Sequence, residues 1–222
     1  MTEDARTIWS IGHSSHSAAV FFGFLEWHGI RTICDVRTIP GSRRHPQFGR
    51  EALRMSAEAR GMAYHWMPGL GGRRRRPAGA PSRHVAWEVP AFRAYADYTD
   101  TSEFAAALAE LEREARLART AFFCAEALWW RCHRRMIADR LVASGWTVLD
   151  VDSGGHAAPH HLPEFARVAD GRVIYDVGVN LELPTPPPPP ARRPRKRAAP
   201  ARVSAGSPAA GDSPSRTSRA PR

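Results

Sequence analysis

The sequence predicts an α/β fold: a mainly parallel sheet of about five strands with helices on both faces, followed by a disordered Pro/Arg-rich tail. Three observations predict it. Short apolar runs of strand length alternate with longer stretches of helical periodicity between Thr7 and Val151. Glycines stand where the helical stretches should stop, at Gly29, Gly61 and Gly145. Near Leu183 the large apolar side chains almost disappear, and five consecutive prolines follow at Pro186 to Pro190.

Taken in order, residues 7–11 form a first strand, broken by Gly12-His13-Ser14. Residues 18–28 place Val20, Phe21, Phe24 and Leu25 at helical spacing before Gly29. Residues 30–36 read as a buried strand and residues 37–49 as a polar loop. Residues 51–59 are helix-like, and residues 62–67 are a third strand. Residues 68–90 make a long Gly/Pro/Arg-rich loop holding Gly71-Gly72 and Arg73 to Arg76. Asp100-Thr-Ser-Glu103 resembles a capping box and starts a helix to about Leu117. Residues 120–124 are the fourth strand, 128–143 a helix, 146–151 the fifth strand, and 172–176 a short closing strand.

Charge divides the chain at the same place as composition. The 222 residues carry a formal +10, yet residues 183–222 hold nine Lys/Arg against one acid, Asp212. The tail therefore carries +8 and residues 1–182, read as one domain, only +2. A stiff proline spacer leading to Arg192–Arg197 suits non-specific contact with nucleic acid or another polyanion, or a merely solvated tail. Three cysteines make no disulfide framework, residues 1–6 show no secretory leader, and no apolar run is long enough to span a bilayer. A cytoplasmic protein with free thiols, away from any membrane, is the expectation. No Walker loop, dinucleotide fingerprint or zinc-finger spacing occurs, so no cofactor is signalled.

Parallel strands put their carboxyl ends on one edge, where ligands bind in open sheets. His13 and Ser14 follow the first strand. Asp35, Arg37, Ser42, Arg43, Arg44, His45 and Gln47 follow the second. Gly69 to Arg76 follow the third, and Asp152, Gly154, Gly155 and His156 the fifth. After the fourth comes the densest reactive run in the chain, with Cys124, Glu126, Arg131, Cys132, His133 and Arg134 within eleven residues. The convergence predicts one electropositive cleft for an anionic small molecule or nucleotide.

Several of these residues have two readings. Cys124 is a nucleophile with a lowered pKa, or a small buried hydrophobe. On a helix, Cys132 and His133 face about 100° apart, so only one of them can serve a site. No metal is expected, because Cys-x7-Cys-His matches no usual zinc spacing, although His13 or His156 could complete a Cys/Cys/His site from other loops. The Arg seven positions after Cys124 fits the six-position spacing of cysteine phosphatases poorly. Cys34 belongs to the core. Asp35 and Arg37 share one side of their strand, as ligand contacts or as an internal salt bridge. Arg43 and Arg44 are forks for an anion. His13 and Glu126 are candidate proton carriers, or respectively a turn residue and a helix cap. Trp66, Trp87, Trp129 and Trp130 are stacking surfaces or core, with core favoured for at least one of the last two.

Ile11-Gly-His-Ser14, Asp35-Val-Arg37, Pro40-x-Ser-Arg-Arg44, Pro46-Gln-Phe48, Leu70-Gly-Gly72, Phe92-x-x-Tyr95 and Cys124-Ala-Glu126 with Cys132-His-Arg134 resemble the bacterial domain-of-unknown-function 488 family over about residues 8–151. The resemblance implies an α/β domain with a cysteine-containing polar site and attaches no activity to it. Two functions follow from the residues. In the first, a small cysteine-dependent enzyme uses Cys124 and Cys132 with Glu126 and His13, and holds its substrate through Ser14, Asp35, Arg37, Ser42, Arg43, Arg44, Gln47, His133 and Arg134. In the second, a nucleotide or nucleic-acid binding module has structural cysteines and a basic tether.

Overall fold

Side-chain alternation along the strands separates two apolar faces, and each acquires its own helices. The computed structural model describes residues 6–41, 44–77 and 79–176. The chain runs through β1 (Thr7–Gly12), α1 (Ala18–Trp27), β2 (Thr32–Asp35), α2 (Arg50–Glu58) and β3 (Ala63–Trp66). It continues through α3 (Pro90–Tyr98), α4 (Ser102–Leu117), β4 (Thr120–Cys124), α5 (Arg134–Ala143) and β5 (Thr147–Val151). Three short strands end the described fold: β6 (Ala157–Pro159), β7 (Ala166–Ala169) and β8 (Arg172–Tyr175).

The main sheet has the order β3-β2-β4-β1-β5-β6. The first five of these strands pair in parallel and β6 adds an antiparallel edge to β5. Ile8, Phe122 and Val148 point to the side covered by α3, α4 and α5, together with Leu108, Leu111 and Ile137. Trp9, Ile33 and Phe123 point the other way, against Phe21 and Leu25 of α1 and Leu53 of α2. The predicted parallel sheet with helices on both faces is therefore the observed architecture.

Local chemistry explains most boundaries. Ser17 caps α1 by accepting from the Val20 N–H, and Gly29, at φ +65°, ends it in the left-handed region that favours glycine. The capping box is displaced by one residue: Thr101, not Asp100, caps α4 by accepting from the Phe104 N–H. Asp100 instead pairs with Arg83 and His84. Helix α3 falls where no element was expected, with Pro90 in its first turn, a position that costs no hydrogen bond.

The largest departure lies between β4 and α5. A helix over residues 128–143 was expected, but Trp129–Arg131 make one 3₁₀ turn, Cys132 is extended (φ −131°, ψ 152°) and α5 begins only at Arg134. The fully buried Arg134 guanidinium donates from Nη2 to the carbonyls of Glu126 (2.7 Å) and Ala127 (3.3 Å). Those acceptors hold the segment as a loop lying across the end of β1. Neither Trp129 nor Trp130 enters the core: Trp130 is 48% exposed, and half-buried Trp129 packs edge-on against His160 at 4.9 Å. The expected closing strand forms over Arg172–Tyr175, paired with β7 in a separate two-stranded sheet. The tail expectation for residues 183–222 lies outside the described residues.

Candidate active site

Strands β1 and β4 are adjacent, with Gly12 opposite Cys124, and their ladder continues past both strand ends. The His13 N–H donates to the Cys124 carbonyl (2.9 Å) and the Ser14 N–H to that of Ala125 (3.1 Å). A Cβ at position 12 would lie 2.0 Å from the Glu126 carbonyl oxygen, so only glycine lets the loop cross there. The loop then brings its second cysteine back over its first. Cys124 Sγ and Cys132 Sγ lie 2.8 Å apart, and the Glu126 N–H donates to Cys124 Sγ at 3.3 Å.

Beneath the sulfurs Arg134 also donates to Ser10 Oγ at 3.1 Å, and its charge acts on both thiols. Burial opposes ionisation of Cys132, but the hydrogen bond from Cys124 and the nearby Arg134 charge together bring its pKa down to about 7. Burial, followed by the bond to Cys132, pushes the Cys124 thiol well up, so Cys124 keeps its proton and donates to the Cys132 thiolate.

His133 completes the cluster, contrary to the expectation that only one of Cys132 and His133 can face a site. That expectation assumed helical backbone, and Cys132 is extended. His133 Nε2 donates to the Val36 carbonyl (3.0 Å), which leaves Nδ1, 3.5 Å from Cys132 Sγ, to accept from that thiol when it is protonated. Burial lowers its pKa and keeps the ring neutral. Tyr95 stands edge-on to that ring at 5.3 Å and donates its hydroxyl to the Leu70 carbonyl. Gly72 is fitted to it: a Cβ there would lie 2.5 Å from His133 Nδ1.

Opposite the thiols, Arg37 is fixed from behind. Its Nε and Nη2 donate to the two oxygens of Asp35 at 2.7 and 2.5 Å, and Tyr64 Oη donates to the same carboxylate at 2.9 Å. The internal salt bridge weighed from the sequence is thus present, with Asp35 wholly buried. Arg37 Nη1 donates to His13 Nε2 at 3.3 Å, while His13 Nδ1 donates to the Ser14 carbonyl and the ring stacks on Phe48 at 4.0 Å. Burial above all, with Arg37 adding to it, lowers the His13 pKa to about 4.

These groups line a cavity of about 660 Å³. His13, Ser14, Arg37, Cys124, Glu126, Cys132 and His133 all reach it. Asp35 and Arg134 do not; they support the lining from underneath. Gln47 turns its amide to the His16 carbonyl, and Arg44 is exposed outside the lining. Ser42 and Arg43 lie outside the described residues. The loop after β5 does not join: Asp152 Oδ1 accepts from the Gly154 and His156 N–H groups, turning the chain into antiparallel β6.

Cys124, Cys132 and His133 offer three ligand atoms within 4.8 Å of one another. Two sulfurs on a tetrahedral zinc ion stand about 3.8 Å apart for Zn–S bonds near 2.3 Å. The two sulfurs stand closer than that, and the Arg134 cation beneath them opposes a second cation.

The family model for the domain of unknown function DUF488 matches residues 17–141, more than half of the chain. The chain belongs to the DUF488 family. No curated protein and no solved structure matches it. The DUF488 match runs from just before α1 into α5 and includes the thiol cluster and Arg37, whereas His13 and Ser14 precede it. Of the cavity-lining residues of this DUF488 chain, Tyr95 had no site role from the sequence, while Gly72, Arg73 and Arg131 were placed at this edge without a substrate contact. The Gly71-Gly72 pair was the available signal, since adjacent glycines often mark close approach to another group. Arg73 and Arg131 are exposed at the rim, and among the described residues neither side chain has an ion-pair partner. Among the described residues no helix is long and apolar enough to cross a membrane.

Proposed function

We propose that this DUF488 protein is a small cytoplasmic enzyme in which Cys132 is the nucleophile and the substrate is an anion or nucleotide bound at the carboxyl edge of the sheet. One observation carries the reading: the Cys132 sulfur lies on a cavity wall between the Cys124 thiol and the buried Arg134, with three further arginines facing the same space. A desolvated cation beside a thiol favours the thiolate, which is the reactive form. The nucleophilic role thus passes from Cys124, the residue first favoured, to Cys132, while Cys124 holds the thiolate by donating to it.

Arg37, pre-aligned by Asp35 and His13, binds the charged part of the substrate together with Arg73 and Arg131. His13 is occupied by Arg37 at Nε2 and serves to orient it. Glu126, the one carboxylate among the described lining residues, carries the proton to or from the leaving group. The test is alkylation of native protein with and without inorganic phosphate or a nucleoside monophosphate. Rapid modification of Cys132 near neutral pH, slowed by the anion, supports the reading. A Cys132 that reacts like an ordinary thiol and ignores both anions refutes it.

The half-buried Phe92 on the wall, with Arg73 and Arg131 at the rim, favours a second reading, a nucleotide or nucleic-acid binding module. Binding to a single-stranded oligonucleotide that survives deletion of residues 183–222, together with unreactive thiols, selects that reading.

A further inference from the structure

Two of the three cysteines face each other in one cavity while the third is shut away. Cys124 and Cys132 are 3% and 6% exposed and open to the same space. Cys34 is wholly buried within β2, where burial raises its pKa well above the ordinary value. The segment between the facing cysteines contains a single 3₁₀ turn and is held mainly through carbonyls, so sulfur movement does not require a helix to unwind.

We infer that Cys124 and Cys132 form a reversible redox couple, oxidised by small hydroperoxides to an intramolecular disulfide and reduced again by low-molecular-weight thiols. The inference rests on the reading of Cys132 as the thiolate. In the first step the Cys132 thiolate attacks one peroxide oxygen, the O–O bond breaks, and Cys132 sulfenic acid and hydroxide (or alkoxide) result. In the second step Cys124 loses its proton and attacks the Cys132 sulfur. The S–O bond breaks, water leaves, and the disulfide forms. The two thiols are oxidised by two electrons and the peroxide is reduced by two. A monothiol reverses the change in two exchanges, ending as its own disulfide.

Arg134 sets the direction of easy reversal. In the reduced pair its buried charge faces a thiolate. In the disulfide that negative charge is gone, and the guanidinium keeps only neutral acceptors: Ser10 Oγ and the carbonyls of Glu126 and Ala127. An unpaired buried cation favours the reduced form, which makes the disulfide readily reducible. The cavity would lose its nucleophile on oxidation, so the couple is also an off-switch for the proposed reaction.

The experiment treats the full chain with hydrogen peroxide, alkylates the remaining thiols and maps the products by mass spectrometry. The expected product has lost two hydrogen atoms and carries a Cys124–Cys132 cross-link, with Cys34 alkylated only after unfolding and full reversal by a monothiol. Cys124→Ser is expected to stop at the sulfenic acid, trapped by a cyclic 1,3-diketone; if that variant does not fold, the wild-type map alone decides. Oxidation of Cys132 to sulfinic acid with Cys124 still free, or a cross-link only between chains, overturns the couple but leaves Cys132 as a nucleophile. A Cys132 that resists both peroxide and alkylation at neutral pH overturns the couple and the nucleophile reading together.

Discussion

Replacing Arg134 with methionine removes the charge beneath Cys132 while preserving a long apolar stem for the core. The ordinary thiol value is 9.0 and that of Cys132 is about 7, a difference worth about 3 kcal/mol of selective thiolate stabilisation. At neutral pH about half of Cys132 is thiolate in the native protein, against about 1% for an ordinary thiol, so alkylation should slow by roughly 50-fold. Burial, which disfavours the thiolate, and the Cys124 hydrogen bond, which favours it, both persist in the variant, so the loss is of that order. Arg134→Lys keeps a positive charge but not the fork and should fall between the two. The assay is the alkylation rate of Cys132 across the neutral range on native protein, with near-ultraviolet circular dichroism as the check on folding. Loss of donors to Ser10 and to two loop carbonyls should also lower stability by about 1–3 kcal/mol. A wild-type profile centred near 9, or folded methionine and lysine variants with unchanged profiles, would refute the electrostatic argument.

The remaining predictions use other parts of the site and one network outside it. Gly12→Ala drives a Cβ into the Glu126 carbonyl and should cost about 1–3 kcal/mol, read as a lower urea midpoint; an unchanged midpoint contradicts the close approach. Gly72→Ala should displace His133 and change the Cys132 alkylation profile in a protein that still folds, and an unaltered profile would separate His133 from the thiol. Arg73→Ala and Arg131→Ala should each weaken protection by phosphate several-fold, more so at low salt, while leaving alkylation without phosphate unchanged. His160 is buried between Asp150 and Asp139, at 2.6 and 2.9 Å. Burial lowers its pKa, but the two carboxylates outweigh burial and raise it from 6.5 to about 9. Stability from a raised pKa is complete below 6.5 and lost as pH rises through 9, a loss of roughly 3 kcal/mol. Urea midpoints across that window should fall for the wild type and stay level for His160→Gln.

Much of the site edge was legible because it depends on topology alone. Once four strands are parallel, His13, Arg37, Gly72 and Cys124 must emerge on one side, whichever strands are neighbours. The loop after β5 escaped this logic because Asp152 accepts two backbone N–H groups and turns the chain into an antiparallel strand. A strand as short as β6 carries too little periodicity to announce itself. The pairing of Cys124 with Cys132 and His133 was not legible either. Apolar spacing over residues 128–143 is that of a helix, and helical geometry separates adjacent side chains; only the carbonyls captured by Arg134 keep the first turns open. Arg134 itself illustrates the limit: its position in an Arg-rich motif suggested an anion contact, while its burial makes it a support for thiols.

The sequence by itself determined the layers, the strand direction, the edge that carries polar loops and the residue types available there, because periodicity and glycine placement act over a few neighbouring residues. Tertiary structure decided which of those residues meet. The distance between the two sulfurs, the firmer hold of Cys124 than of Cys132 on its proton, and the fixed attitude of Arg37 depend on groups distant in the chain, namely Ser10, Val36, Tyr64 and Arg134. Their energies come from burial and charge, which no local pattern specifies until the chain has folded.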